Sequence, residues 1–211
     1  MGKASLSITE VRDMMVAAAD RIIESEPILT DADRALGDGD HGVGMERGMT
    51  AVKAALLEKD FPTVGKVFAA VGTAMMSTMG GASGAIFGTL FRSGGKALGE
   101  ATEFTAAELA SLLREGTDQV MSRGGAKPGD KTMVDALVPA AEKAAEVAGL
   151  PVDEALAAVA AAAAAGRDAS EDMIATMGRA KTLGEKSLGK PDAGAVSVAI
   201  IVAAMSDYAA Q

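Results

Sequence analysis

The 211-residue chain has 29 acidic and 20 basic side chains, one histidine and no cysteine, so its formal net charge at pH 7 is -9. The lack of cysteine excludes disulfides, zinc ribbons and thiol catalysis, and a single histidine excludes most transition-metal sites. With so few soft ligands, we expect any bound metal to be a hard, oxygen-ligated ion such as Mg²⁺. The acidic balance argues against nucleic acid as a partner.

The apolar segments are too short for a membrane span. The longest, from Ala193 to Met205, covers about 13 residues, whereas a spanning helix needs about 20. The opening residues, MGKASLSITEV, lack the apolar core of a signal peptide. We therefore expect a cytoplasmic protein with no membrane partner, and the length predicts one domain over residues 1–211.

Apolar residues recur at helical spacing along nearly the whole chain, while alternating β-type patterns are missing. The first helix is predicted to begin at Ser7, which forms a capping box with Glu10, and to end before Pro27. An acidic loop follows, and residues 45–56 mark the next helix. The remaining helices are predicted at 63–79, 83–98, 105–122, 132–147, 152–165, 171–181 and 194–209. An all-α fold, a helical bundle or barrel, is therefore expected.

Polar residues that a helical bundle does not need are concentrated in four connections between helices. These are residues 33–44, 80–84, 123–133 and 179–194. Each contains glycine together with side chains able to bind phosphate or metal. Several lie where a helix begins, so that free backbone N–H groups can point at an anion. We therefore expect one shared site at one end of the bundle.

The first of these connections contains GDGDHG, residues 37–42, which matches the letters of the dinucleotide motif G-x-G-x-x-G. That motif must follow a buried strand within a βαβ unit, but DADRAL precedes it here. The calcium loop of EF-hand proteins is excluded because Ala35 or Met49 stands where a metal ligand is required. The chain also lacks the G-x-x-x-x-G-K-[ST] motif of P-loop NTPases.

What remains is a group of three carboxylates, Asp33, Asp38 and Asp40, with glycines between them that let the backbone fold tightly. At about 4 Å apart, each pair would repel by about 4 kcal/mol at an effective dielectric constant of about 20. A pair of Mg²⁺ ions would turn this repulsion into coordination, and Mg²⁺ commonly takes further ligands from nucleotide phosphates. A solvated acidic loop whose aspartates cap a helix is the alternative interpretation.

Other residues in these connections fit contacts with phosphate. His41 could act as a general base, donate to phosphate or be an ordinary loop residue. Ser83 could cap the following helix and contact phosphate, and Lys131 could contact phosphate as well. Arg179 could neutralise phosphate charge, and Asp192 is predicted to cap the last helix.

Four sequence blocks resemble the nucleotide-binding L subunit of dihydroxyacetone kinase. They are LGDGDHG (36–42), GGASG (80–84), SRGGAKPGDKTM (122–133) and GRAxxLGEKSxG (178–189), followed by DAG at 192–194. The blocks occur in the family order and cover nearly the whole chain. The resemblance implies an eight-helix antiparallel barrel whose loops at one end bind ADP or ATP through two Mg²⁺ ions.

The resemblance also implies roles for individual residues. Asp33, Asp38 and Asp40 would bind the metal, and Arg179 would contact the nucleotide and act in catalysis. The other positions that would contact the nucleotide are His41, Gly44, Ala82, Ser83, Gly124, Met133, Asp192 and Gly194.

The activity that the resemblance implies is phosphorylation of a short ketose such as dihydroxyacetone, which a separate K subunit holds through a histidine. The phosphoryl donor would be ATP or, with ADP kept bound, an M-type protein of the phosphotransferase system. Two alternatives are a kinase subunit for a four-carbon keto-sugar and a non-catalytic ADP-sensing subunit that binds a transcription factor.

Three positions depart from the family pattern. Gly44 replaces a typical asparagine, Ala193 replaces the proline of D-P-G, and Lys190 replaces a histidine. A glycine at position 44 has no side chain that could hydrogen-bond phosphate or metal-bound water. None of the three departures changes an aspartate of the metal triad. They concern the nucleotide instead, and bear on whether ATP exchanges freely or ADP stays bound.

Overall fold

The computed structural model describes residues 2–211 and is built almost entirely of α-helices, as expected. Within this range the α-helices are α1 Ile8–Glu24, α2 Glu26–Arg34, α3 His41–Leu57, α4 Val64–Thr78, α5 Gly81–Ala97, α6 Ala106–Gly124, α7 Val134–Glu146, α8 Val152–Ala169 and α9 Ala193–Ala209. Two 3₁₀ segments, Ser170–Asp172 and Ala180–Ser187, lie between α8 and α9. Two short strands, β1 Leu6–Ser7 and β2 Glu103–Phe104, pair antiparallel with Leu6 opposite Phe104.

Eight of the helices form a closed ring. Helix α1 packs against α3, each helix from α3 to α8 packs against the next one in the chain, and α9 returns to α1. The short α2 lies against α3 and α9. The eight-helix barrel implied by the resemblance is therefore the observed architecture.

Capping boxes begin two of the barrel helices. The Ser7 hydroxyl accepts a hydrogen bond from the Glu10 N–H at 3.3 Å, and the Glu10 carboxylate accepts one from the Ser7 N–H at 2.8 Å. Thr105 and Glu108 form the second box, at the start of α6. Both boxes were expected from the sequence, and losing such a cap typically destabilises a helix by about 1 kcal/mol.

Flexible aliphatic side chains and a few aromatic rings fill the interior. Phe68 packs between Phe91 and Phe104, with ring centroids 6.5 and 5.4 Å away. Helices α4 and α5 approach closely because a Cβ added at Gly72 would lie 2.6 Å from the Gly88 carbonyl oxygen. The buried residues form one continuous core.

Two parts of the helix prediction were wrong. Residues 26–34, assigned in part to an acidic loop, form α2, because Pro27 lies in its first turn, where a proline costs no hydrogen bond. Residues 171–181 do not form an α-helix, since Gly178 has φ +62° and the N–H of Thr176 donates to the Asp130 carbonyl. The apolar segment after Asp192 forms the mostly buried helix α9, as expected.

Within residues 2–211, none of the helices combines the length and the apolar character that crossing a bilayer requires.

Candidate functional site

A cleft of about 1050 Å³ opens at one end of the barrel. The four connections singled out in the sequence meet there, because alternate connections of an up-and-down barrel lie at the same end. All the residues assigned to the site from the sequence line its wall: Asp33, Asp38, Asp40, His41, Gly44, Ala82, Ser83, Gly124, Met133, Arg179, Asp192 and Gly194. A cleft of this volume is large enough for a nucleotide.

The three aspartates converge at this cleft. Asp33 lies in the last turn of α2, and Asp38 and Asp40 lie in the connection to α3. Each offers a carboxylate oxygen within 4.8 Å of the others. Gly39 has φ +78°, and a Cβ added at Gly37 would lie 2.9 Å from Asp33 Oδ1. Gly39 therefore has a backbone conformation that favours glycine, and a side chain at position 37 would displace the Asp33 carboxylate.

The donor set of this cluster fits a hard divalent cation. All three ligating groups are carboxylates, and the one cation that contacts the cluster within residues 2–211 is the guanidinium of Arg179, which pairs with Asp38. One positive charge against three negative charges leaves the cluster electrostatically unbalanced. Oxygen-only coordination favours Mg²⁺ or Ca²⁺ over softer metals.

Four helix N-termini face the same cleft, those of α3, α5, α7 and α9. Each brings unpaired backbone N–H groups and a partial positive charge, which together favour an anion. Gly80 and Gly81, with φ +74° and +61°, turn the chain into α5.

Ser83 was expected to cap this helix, α5, and that expectation was wrong. The helix begins at Gly81 without a side-chain cap, so Ser83 lies in the first turn instead.

His41 is the first residue of α3 and is buried, with 7% of its surface exposed. Its Nε2 lies 2.8 Å from the Ser197 hydroxyl on α9, and its backbone N–H donates to Asp33 Oδ2 at 3.2 Å. Burial lowers the pKa of His41, and the nearby Asp33 opposes that change. The interpretation as a loop residue is wrong in its placement, because His41 belongs to α3, and its bond to Ser197 joins α3 to α9 at the cleft wall.

The third connection contributes Gly124 and Met133 to the wall. Lys131, which could contact phosphate according to the sequence, also lines the cleft, but its ammonium bonds to the protein itself. Its Nζ donates to the carbonyls of Ser170 and Lys190 at 2.5 and 2.6 Å, so the ammonium points into the protein.

Asp192 caps α9, as predicted from the sequence. Its Oδ2 accepts a hydrogen bond from the Ala195 N–H at 2.8 Å. Burial raises the pKa of the Asp192 carboxyl to about 7. A Cβ added at Gly194 would lie 3.0 Å from Asp192 Oδ2 and 3.1 Å from Met133 Cβ, so glycine there lets α7 and α9 begin side by side.

Arg47 also lines the cleft and was not among the residues assigned from the sequence. Its Nε donates to the Thr78 carbonyl at 2.7 Å, and a second N–H donates to the Met79 carbonyl. These bonds fix the end of α4 just before the Gly80 turn. The sequence could have indicated Arg47 as a site residue, because it lies three residues after Gly44, one turn along the same helix face.

Comparison with known proteins identifies the family of the chain. The family model described as the DAK2 domain matches residues 35–207, which include Asp38, Asp40 and, apart from residues 33 and 34, all four connections. The ADP-binding subunit DhaL of the PEP-dependent dihydroxyacetone kinase of Escherichia coli K12 is 38% identical over 199 residues, covering 92% of this chain and 93% of the relative.

Longer kinases contain a similar segment. The L-erythrulose kinase of Pectobacterium atrosepticum is also 38% identical, over 90% of this chain but only 33% of its own length. Among solved structures, the dihydroxyacetone kinase of C. freundii, described in complex with AMP-PNP and Mg²⁺, matches with a TM-score of 0.73 and 26% identity. That match covers 98% of this chain and 35% of the solved chain. The chain therefore belongs to the DAK2-domain family, which includes the DhaL subunits of dihydroxyacetone kinase.

Proposed function

We propose that this chain binds a magnesium nucleotide, ADP or ATP, in the cleft and serves as the nucleotide-binding subunit of a dihydroxyacetone-type kinase. The observation that carries the proposal is the convergence of Asp33, Asp38 and Asp40 at a nucleotide-sized cleft. Support comes from the DhaL relative of similar length, whose name describes an ADP-binding subunit.

The residues divide into two groups by chemistry. The three aspartates would hold Mg²⁺, two ions in our proposal, and bound Mg²⁺ supplies the positive charge that neutralises phosphate oxygens. The N–H groups at the start of α5, around Ala82 and Ser83, offer further donors to phosphate. The remaining wall residues, Gly124, Met133, Asp192 and Gly194, would shape the nucleotide pocket.

Arg179 is the residue we assign to catalysis. Its side chain is 67% exposed and reaches the carboxylate cluster, where it pairs with Asp38. A guanidinium at this place can stabilise the charge of a phosphoryl group in transfer. Phosphoryl transfer depends mainly on positioning and charge neutralisation, so the chain need supply no covalent chemistry.

The ketose would be held by a separate K-type subunit. The single histidine is buried and bonded to Ser197, so it is poorly placed to take a proton from a sugar hydroxyl at the mouth of the cleft. We therefore assign the base to the partner. A four-carbon substrate is a second candidate, favoured by the similarity to the L-erythrulose kinase of P. atrosepticum and the D-erythrulose kinase of Mycolicibacterium smegmatis.

The test is a reconstituted assay. The purified chain is mixed with a K-type partner, Mg²⁺ and either dihydroxyacetone or erythrulose, with ATP or with a phosphotransferase-system M-type donor and ADP. Turnover sustained by ATP alone would identify an exchanging kinase, and turnover only with the donor protein would identify ADP as a recycled cofactor. Absence of turnover in all four mixtures, while the chain still binds ADP, would favour a nucleotide-sensing subunit and contradict the kinase proposal.

A further inference from the structure

Lys131 differs from the other basic residues because its side chain is buried beside the cleft. Its exposed fraction is 2%, and its φ is +60°, the one positive φ of a non-glycine residue within residues 2–211. This conformation costs a residue with a Cβ about 1 kcal/mol. A strained backbone at the wall of a site persists only where surrounding contacts hold it.

The contacts that hold the strained backbone of Lys131 are made by its own ammonium group. Nζ donates to the carbonyl of Ser170 at 2.5 Å and to the carbonyl of Lys190 at 2.6 Å. Ser170 follows the end of α8, and Lys190 lies just before Asp192 at the start of α9. The two ends of the segment between α8 and α9, residues 170–192, which we call the closing segment, therefore meet at one cation.

The closing segment carries two residues of the proposed nucleotide site, Arg179 and Asp192. It is also bonded to Asp130, the neighbour of Lys131, which accepts from the Thr176 hydroxyl at 2.6 Å. The Asp192 N–H donates to the Ser170 hydroxyl at 3.0 Å, next to the carbonyl that Lys131 holds. The turn around Lys131 therefore holds the closing segment in place through these hydrogen bonds.

The charges around Lys131 explain how a buried ammonium is tolerated. Burial lowers its pKa, and four carboxylates oppose that change: Asp192, Glu171, Asp135 and Asp172. A buried cation without such partners would be strongly destabilising. Removing the ammonium would leave the Lys190 carbonyl without its donor and the Ser170 carbonyl with only the N–H of Met173, at 3.3 Å. It would also leave the surrounding carboxylates without their cation.

We propose that Lys131 is a positioning residue of the nucleotide site, acting through Ser170 and Lys190 to hold the closing segment in its binding conformation. The proposal rests on the proposed nucleotide function. Without the ammonium, the closing segment would sample several conformations. Nucleotide binding would then have to order it, which lowers the measured affinity in proportion to the competent fraction.

The test compares Lys131→Met, which keeps the chain length without a donor, with Lys131→Gln, which keeps two N–H donors. The matched control is Lys127→Met in the same connection, where the side chain is exposed. MgADP affinity is measured by calorimetry well below the unfolding temperature. Hydrogen exchange of residues 170–192 is followed by mass spectrometry without nucleotide.

We expect Lys131→Met to weaken MgADP binding at least tenfold and to accelerate exchange in the closing segment, with Lys131→Gln intermediate and Lys127→Met unchanged. A variant that only unfolds at a lower temperature, with affinity and exchange like wild type, would overturn the proposal. If Lys131→Met does not fold, Lys131→Gln decides by the same two measurements. Failure of wild type to bind MgADP would contradict the proposed function, whereas the exchange comparison would still test the positioning role.

Discussion

The Asp33 carboxylate accepts a hydrogen bond from the backbone N–H of His41, 3.2 Å away, and so joins the last turn of α2 to the first turn of α3. The connection between them carries Asp38 and Asp40. The geometry of the carboxylate cluster therefore depends on how closely these two helices pack. Helix α2 therefore helps to set the geometry of the carboxylate cluster even though it lies outside the barrel ring.

Two glycines in the first turn of α3 test this dependence. A Cβ added at Gly42 would lie 2.5 Å from the Glu26 carbonyl oxygen and 2.6 Å from the Thr30 nitrogen, both on the backbone of α2. We expect Gly42→Ala to force α2 away and destabilise the protein by about 2 kcal/mol, which corresponds to a fall of about 6 °C in melting temperature. Magnesium-dependent ADP binding should weaken as well, measured by calorimetry.

Gly44→Ala is the matched control. A Cβ there would have only the Met79 carbonyl oxygen within 4 Å, at 3.9 Å. Alanine is the better helix former, so the melting temperature should stay equal or rise slightly. Equal destabilisation by both variants would contradict the packing argument.

Gly44→Asn should also fold normally, because a Cβ at position 44 has only the Met79 carbonyl oxygen near it. We expect this variant to release ADP more slowly than wild type. An amide side chain at this wall position could donate to a phosphate oxygen, which glycine cannot do. The dissociation rate of a fluorescent ADP analogue, compared among wild type, Gly44→Ala and Gly44→Asn, measures the effect. Equal rates for the alanine and asparagine variants would show that the amide makes no such contact.

Asp38→Asn should weaken Mg²⁺-dependent nucleotide binding by about 100-fold, because one charged ligand of the cluster is lost. The helical circular dichroism spectrum should stay unchanged, since the residue lies in a connection. The control is Asp31→Asn, which removes an exposed carboxylate that pairs with Arg34 rather than with the cluster. Calorimetric titration of ADP in the presence of Mg²⁺ compares the two, and similar affinities would refute the assignment of the metal site.

Magnesium and nucleotide should stabilise the protein cooperatively. At a ligand concentration 100 times the dissociation constant, binding adds about 2.7 kcal/mol, or about 8 °C in melting temperature for a chain of this size. ADP alone in EDTA should give a much smaller shift, since the carboxylate cluster repels phosphate when no metal is bound. A full shift in EDTA would show that the nucleotide binds without the cluster.

The free energy of unfolding should depend on pH through the protonation of Asp192. Its carboxyl titrates near 3.8 in the unfolded chain, whereas burial raises its pKa to about 7 in the folded protein. Between these values the folded protein binds the extra proton, so the contribution of Asp192 to stability falls as pH rises from about 4 to 7. Urea unfolding at several pH values, compared between wild type and Asp192→Asn, isolates this contribution.

Asparagine can cap α9 in the same way, so the cap itself is preserved in that variant. We expect the stability of wild type relative to Asp192→Asn to be greater at pH 5 than at pH 8. A difference that does not change with pH would mean that Asp192 is ionised throughout.

Much of the barrel could be predicted from the sequence because helix signals are local. The capping boxes at Ser7 and Thr105 and the apolar spacing identified the barrel helices to within a few residues. The acidic triad was identified for a similar reason, since its three carboxylates lie within one short stretch of chain. The carboxylate oxygens lie within 4.8 Å of one another, and Gly39, whose φ is +78°, turns the chain between Asp38 and Asp40.

The parts that were missed depend on contacts between distant segments. The helical pattern of residues 171–181 is overridden by the Ala175 N–H bonding to the Ser187 hydroxyl and by the left-handed Gly178. The inward direction of the Lys131 ammonium is set by carbonyls at Ser170 and Lys190. The sequence near Lys131 gives no sign of these distant partners, so from the sequence alone Lys131 was only a residue that could contact phosphate.

The short ladder between Leu6 and Phe104 lies at the start of α1 and of α6, at the barrel end opposite the cleft. The Lys3 carbonyl, which accepts from the Val152 N–H, and Gln211, which follows α9, are at that same end. A polypeptide attached through a linker at either place would leave from the far side and keep the mouth of the cleft open. The mouth of the cleft is therefore equally accessible with or without a polypeptide attached at that end.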